Sequence, residues 1–189
     1  MLQTSERKPE VIVFAGPNGS GKSTITKMTR IVNPYINADD IKRATQCTDL
    51  EAAELAEELR ELALEMKKGF TFETVLSTER NLNLLKRAKE AGFFVRCIYV
   101  LTATPDINVM RVESRFASGG HPVPEDKIRS RYDKSLAQIP ELLKVADVLH
   151  IYDNTTIPFR IFKKNKYETI CWENRFWSTE KIRKLTGIE

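Results

Sequence analysis

Cysteine is scarce: Cys47, Cys97 and Cys171 are odd in number, far apart and in no metal-like spacing. That argues against a disulfide framework and against a cysteine-built metal site, and leaves free thiols of a reducing compartment. Long apolar runs are missing too. No stretch approaches the length that spans a bilayer, and the opening MLQTSERKPE carries no apolar signal segment. A cytoplasmic protein without membrane contact is the expectation. Charge of one sign is in short supply: 30 basic against 26 acidic side chains leave only +4. This falls short of the basic footprint of a dedicated nucleic-acid binder, so nucleic acid is not the expected partner. Anionic small molecules suit such a surface. There is also no internal repeat, low-complexity tract or Gly/Ser linker, so residues 1–189 read as one domain with a full hydrophobic core.

What is present is an alternation of strand and helix patterns. EVIVFAG (10–16) is a β-branched run suited to a strand buried on both faces, and KSTITKMTRIV reads as a helix. YINADDIK (35–42) predicts a short strand ending near Asn37. A long helix is expected over 50–68, with Thr48 and Glu51 at capping-box spacing and an apolar stripe of Leu55, Leu59, Leu62 and Met66. Gly69 stands where a left-handed C-terminal cap belongs. FTFETVLS (70–77) predicts a strand, TERNLNLLKRAKEAG a helix closed by Gly92, and FFVRCIYVL another central strand. Pro105 opens a helix to Ala117, SGGHPVP (118–124) breaks it, and a helix from Glu125 is kinked or divided at Pro140. DVLHIYDN is a further strand, with His150 in a structural position. The tail (155–189) alternates about a Lys-Lys-Asn-Lys turn, which suggests an antiparallel hairpin. The pattern calls for a three-layer α/β fold of the P-loop nucleoside-triphosphate type, its mainly parallel sheet covered on both faces.

Gly16-Pro17-Asn18-Gly19-Ser20-Gly21-Lys22-Ser23 matches G-x-x-x-x-G-K-[ST] between a predicted strand and a predicted helix. Glycines let successive backbone N–H groups converge on the β-phosphate of a nucleotide, and the helix start adds positive potential. Lys22 would bridge the β- and γ-phosphates of ATP, the Ser23 hydroxyl would ligate Mg²⁺, and Thr24 would assist at the α-phosphate. No base-reading N-K-x-D follows, which excludes a switch GTPase. CIYVLTATPD reaches threonines and a proline before Asp106, unlike a Walker B strand. The carboxylates lie elsewhere. Asp39 and Asp40 follow the second strand and Glu73 closes FTFE, at strand ends that line the crevice of such a sheet. One carboxylate can deprotonate an acceptor hydroxyl and a second can hold the acceptor or a metal-bound water. For Asp39 and Asp40 a helix N-cap is the competing reading. A lid is expected over 111–131, where Arg111, Arg115, Arg129 and Arg131 flank the Gly-Gly break and would neutralise the transferring phosphate. A solvated basic face is the alternative for any one arginine. His121 of the break is a further candidate ligand contact.

The set AGPNGSGKST, INADDI, FETVLS, RVESRFASGGHPVPEDKIRSRY and YDN resembles the zeta-toxin family of P-loop kinases, in order and spacing, over residues 11–154. The resemblance implies an ATP- and Mg²⁺-dependent kinase of the UDP-N-acetylglucosamine type, acting on the amino sugar's 3′-hydroxyl and restrained by an antitoxin protein. It implies Lys22 on phosphate, Ser23 on Mg²⁺ and Asp39 as catalytic base. Glu73, with Thr74 and Ser77 of the same segment and His121, would hold the acceptor, and Arg115 and its lid neighbours the transferring phosphate. The larger toxins carry an arginine near the place of His121, which shifts lid chemistry here to Arg129 or Arg131, and their long sugar-binding insertions are reduced in this chain. Three alternatives stay open: a kinase of another hydroxylated small molecule, similar to antibiotic phosphotransferases; a polynucleotide 5′-hydroxyl kinase; and a nucleotide-dependent regulatory module without catalysis.

Overall fold

The computed structural model describes residues 8–120 and 122–188. Among them the β-branched and aromatic runs form β1 (Glu10–Ala15), β2 (Tyr35–Ile36), β3 (Phe70–Thr74), β4 (Phe94–Leu101), β5 (Val148–Asp153), β6 (Phe159–Lys164) and β7 (Thr169–Cys171). They make one sheet in the order β2-β3-β1-β4-β5-β6-β7. The first five strands are parallel, and β6 and β7 are the antiparallel hairpin. Its turn spans Asn165–Glu168, two residues beyond the expected Lys-Lys-Asn-Lys turn. β1 sits between β3 and β4 and is buried along nearly its whole length, as its continuous apolar run requires.

The helices are α1 (Lys22–Lys27), α2 (Ala38–Thr45), α3 (Asp49–Glu65), α4 (Glu79–Glu90), α5 (Pro105–Ala117), α6 (Glu125–Ala137), α7 (Ile139–Val145) and α8 (Thr179–Thr186). α3, α4, α7 and α8 pack one face of the sheet, with Val11, Val13, Val95, Tyr99 and Leu149 beneath them. The other face carries Ile12, Phe14, Ile98 and Val100 under Ile25 of α1. α5 and α6 share their own small cluster, Val109, Val112 and Ile128. Among the described residues no helix is long and apolar enough to cross a membrane, and all three cysteines are free.

Several elements depart from the sequence expectation. α1 ends at Lys27, well short of Val32. Thr29 turns its hydroxyl onto the carbonyl of Ile25 at 2.8 Å, the back-bonding that weakens a threonine-rich helix. β3 stops at Thr74, α2 follows β2 as the competing helix reading of Asp39 and Asp40 implied, and α8 stands where no helix was expected. α3 has its capping box, with Glu51 N–H donating to Thr48 Oγ1 and Thr48 N–H to Glu51 Oε2. The apolar stripe faces solvent, however, and Ala52, Ala56, Ala63 and Leu64 face the core. The left-handed residue closing α3 is Lys67 (φ 50°), not Gly69, with Lys68 N–H reaching Ala63 O at 2.9 Å. Gly69 is needed for a different reason, since a Cβ there would stand 2.9 Å from Glu10 O. The division near Pro140 is real: α6 ends at Ala137 and α7 begins with the proline in its first turn.

Candidate active site

The loop from Gly16 to Gly21 leaves β1 at the carboxyl edge of the sheet, where Gly16 N–H is fixed to Thr74 O at 3.2 Å. Two asparagines hold its far side. Asn154, just past β5, donates through Nδ2 to Ser20 O at 2.8 Å, and Asn108 of α5 donates to Asn18 O. Side chains at Gly19 and Gly21 would collide with them. A Cβ on Gly19 (φ 75°) would stand 2.5 Å from Asn108 O, and one on Gly21 (φ 91°) would run into Asn154 Nδ2. The loop is therefore shaped by its neighbours as well as by its own sequence. Ser20 Oγ is buried with no hydrogen-bond partner among the described residues, and Pro17 O accepts from Ser20 N–H.

Lys22 opens α1 and folds back over the loop, Nζ donating to Gly16 O at 2.7 Å and Pro17 O at 3.0 Å. Burial lowers its pKa from 10.5 to about 8, with Glu73 opposing, Arg115 assisting and Asp39 opposing. Ser23 and Thr24 are exposed on the first turn. Glu73 is half-buried and surrounded by hydroxyls: Thr26 Oγ1 donates to Oε1 at 2.8 Å, Tyr35 OH to Oε1 at 2.7 Å, and Ser23 Oγ to Oε2 at 3.4 Å. Those donors satisfy a charge that an aromatic strand would otherwise penalise. Asp39 lies exposed in the first turn of α2, whose N-cap is Asn37, not either aspartate. Asp40 is paired with Arg43.

The remaining predicted residues divide. Arg131 reaches the loop, with Nη1 3.4 Å from Asn18 Oδ1. Arg111 donates to Thr155 O at 3.1 Å, beside the loop that follows β5. Arg115 is exposed and packed against Gly120, whose N–H donates to Arg115 O at 3.0 Å. Arg129 is engaged by Asp106 at 2.7 Å and Glu125 at 2.8 Å, so it braces α6 against the start of α5. Thr74 is buried, its hydroxyl accepting from Leu76 N–H and Asn81 Nδ2, while Ser77 lies between β3 and α4. His121 lies outside the described residues.

Five residues of the site escaped the sequence reading of side-chain roles: Thr26, Tyr35, Asn37, Asn108 and Asn154. Asn37 was readable in principle, because asparagine before two aspartates is an N-cap signature. Nothing local marks Asn108, which acts across 90 positions. The oxygen pair Ser23 Oγ and Glu73 Oε2 is the donor chemistry a hard dication such as Mg²⁺ prefers, so the residues fit that ion.

A Walker loop after the middle one of five parallel strands, with Asn108 of α5, Arg131 of α6 and Asn154 after β5 reaching it, is the arrangement of P-loop proteins of kinase-like fold. Within that class the chain belongs to the zeta toxin family, whose model matches residues 1–166. An uncharacterized protein of Haemophilus influenzae is 33% identical over 129 residues, spanning 65% of this chain and 92% of its own. A structure of the PezAT chromosomal toxin–antitoxin system of Streptococcus pneumoniae superimposes with a TM-score of 0.64 at 18% identity, over 98% of this chain and 81% of that one. The AvrRxo1-ORF1:AvrRxo1-ORF2 complex with sulphate gives 0.71 at 16% identity, over 96% of this chain and 64% of that one. The same complex with ATP gives 0.65 at 15% identity, over 96% and 64%.

Proposed function

We propose that the protein is an ATP- and Mg²⁺-dependent kinase that moves the γ-phosphate of ATP to a hydroxyl of a nucleotide sugar such as UDP-N-acetylglucosamine. One convergence carries the reading: Lys22 lies on the loop carbonyls at 2.7 and 3.0 Å, Ser23 beside it meets Glu73 of β3 at 3.4 Å, and Arg131 of α6 reaches Asn18 of the loop at 3.4 Å. The loop backbone and Lys22 hold the β- and γ-phosphates. Ser23 and Glu73 hold Mg²⁺, which when bound offsets charge on the phosphates. Asp39, exposed toward an acceptor, takes the proton from the acceptor hydroxyl. The acceptor oxygen then bonds to the γ-phosphorus while the bond from that phosphorus to the β–γ bridging oxygen breaks, and ADP leaves. Arg115 and Arg131, rather than the engaged Arg129, meet the transferring phosphate. The ATP complex of AvrRxo1-ORF1:AvrRxo1-ORF2 supports ATP as donor, and the PezAT system supports an antitoxin protein as partner.

The test is phosphoryl transfer from ATP with Mg²⁺ to a panel of UDP-sugars, hydroxylated antibiotics and oligonucleotides. Asp39→Asn should keep ATP binding and lose transfer by about 100- to 10,000-fold. Phosphate found only on an oligonucleotide 5′ end would overturn the sugar reading. An Asp39→Asn enzyme with undiminished transfer would remove the proposed base.

A further inference from the structure

The Glu73 side chain and the Asp39 backbone are not independent. They are joined by an unbroken line of hydrogen bonds running through Tyr35 and Asn37. Asp39 N–H donates to Asn37 Oδ1 at 2.9 Å, Asn37 Nδ2 donates to Tyr35 OH at 3.1 Å, and Tyr35 OH donates to Glu73 Oε1 at 2.7 Å. Each group in the line uses its proper chemistry. A phenol has one proton and can also accept, and an amide accepts at oxygen and donates at nitrogen. Because Asn37 Oδ1 must accept a backbone N–H to cap α2, its nitrogen is left to face the phenol. We propose that Tyr35 is a positioning residue that, through Glu73 on one side and Asn37 on the other, fixes the spacing between the metal-side carboxylate and the helix that carries the base. This rests on the kinase reading of the site.

The backbone alone supplies little of that hold. β2 is a two-residue edge strand, paired to β3 only at Tyr35↔Thr71 and Ile36↔Phe72. α2 buries no residue fully, and only Ala38 and Ile41 lean on the core. α2 also packs on α3, with Lys42 paired to Asp49 at 2.7 Å, and the side-chain line is what joins its N-terminal end to β3. It also sorts the two oxygens of Glu73: Oε1 takes both Tyr35 and Thr26, while Oε2 faces Ser23.

Tyr35→Phe removes one hydroxyl and leaves the Asn37 cap in place. Amide hydrogen exchange on the ligand-free protein should show the Asp39 amide exchanging about tenfold faster, the scale of one hydrogen bond. In turnover, kcat should fall about tenfold with KM for ATP within about twofold of wild type. The Tyr35→Phe/Glu73→Gln double variant should lose little more than Glu73→Gln alone. Asn37→Asp keeps an oxygen for the cap but cannot donate to Tyr35. It should repeat the kcat change, and it provides a second route should Tyr35→Phe fail to fold. Unchanged exchange at Asp39 in folded Tyr35→Phe would overturn the relay, as would losses that multiply in the double variant. If wild type transfers phosphate to no acceptor, the kinase reading fails, and the exchange measurement still decides whether Tyr35 ties α2 to Glu73.

Discussion

Lys22 is the residue on which pH should act first. Its pKa in the folded chain is lowered to about 8, chiefly by burial. Between about 8 and 10.5 the unfolded chain binds a proton that the folded chain does not, so this group's contribution to stability rises with pH across that window. Nucleotide affinity should move the opposite way, because the lysine must be cationic to hold phosphate. ATP binding should weaken as pH rises above about 8, by up to about tenfold per unit, with proton uptake on binding. Calorimetry in buffers of different ionisation enthalpy reads that uptake directly. Lys22→Arg keeps its charge throughout and should flatten the profile. A flat profile in wild type would show that Lys22 is not the titrating group. At this scale the motif residues were legible because a local pattern specifies them. Tyr35 and Asn108 were not, because their meaning lies in partners 38 and 90 positions away.

At the scale of the element, α3 shows how a helix can be read correctly and turned the wrong way. Thr48 and Glu51 cap it as their spacing implies. Yet Leu55, Leu59, Leu62 and Met66 are 39%, 45%, 51% and 65% exposed, and the inward stripe is Ala52, Ala56 and Ala63, interrupted by Arg60. That arginine lies over the ring of Phe72 at 5.3 Å, covering apolar surface with its stem and guanidinium. Leucine carries more apolar area than alanine, so periodicity weighted by hydrophobicity chose the outer stripe. Alanine was chosen for the inner face by close approach, which a one-dimensional pattern does not contain. The consequence is measurable by denaturant unfolding. Leu59→Glu should change stability by less than about 0.5 kcal/mol, as at an ordinary surface position. Ala56→Leu, which adds volume to a fully packed contact, should cost about 1–3 kcal/mol. The reverse order would mean that α3 packs through its leucines in solution.

For the whole molecule, alternation of strand and helix patterns sufficed for a mainly parallel sheet with a hairpin at its end, because parallel neighbours need crossovers. How unevenly the two faces are covered was not legible, since helix length does not say where a helix lands. Four helices lie on one face, whereas α5 and α6 pack mainly on each other. Beyond α1, the second face of β4, β5 and β6 therefore carries long polar side chains in place of an apolar layer. His150 stands there half-buried, opposite Lys163 and edge-on to Tyr152. Its pKa is lowered from 6.5 to about 4, first by burial and then by Arg160, Arg96 and Lys163. The nearby carboxylates are already engaged, Glu10 with Arg96 at 2.8 Å and Glu168 with Lys163 at 2.5 Å. With the folded pKa depressed, the neutral imidazole's contribution is complete above about 6.5 and is lost as pH falls toward 4. His150→Gln removes that proton-binding site from both states. Wild type should lose about 1–2 kcal/mol more than the variant between those limits, a figure discounted for solvent screening, or a few degrees in Tm for a chain of this size. Carboxylates titrating in the same range affect both proteins, so the difference between the two pH profiles isolates His150. Parallel profiles would mean that an anion or water relieves the three cations, and that the open face is less electropositive in solution than its side chains imply.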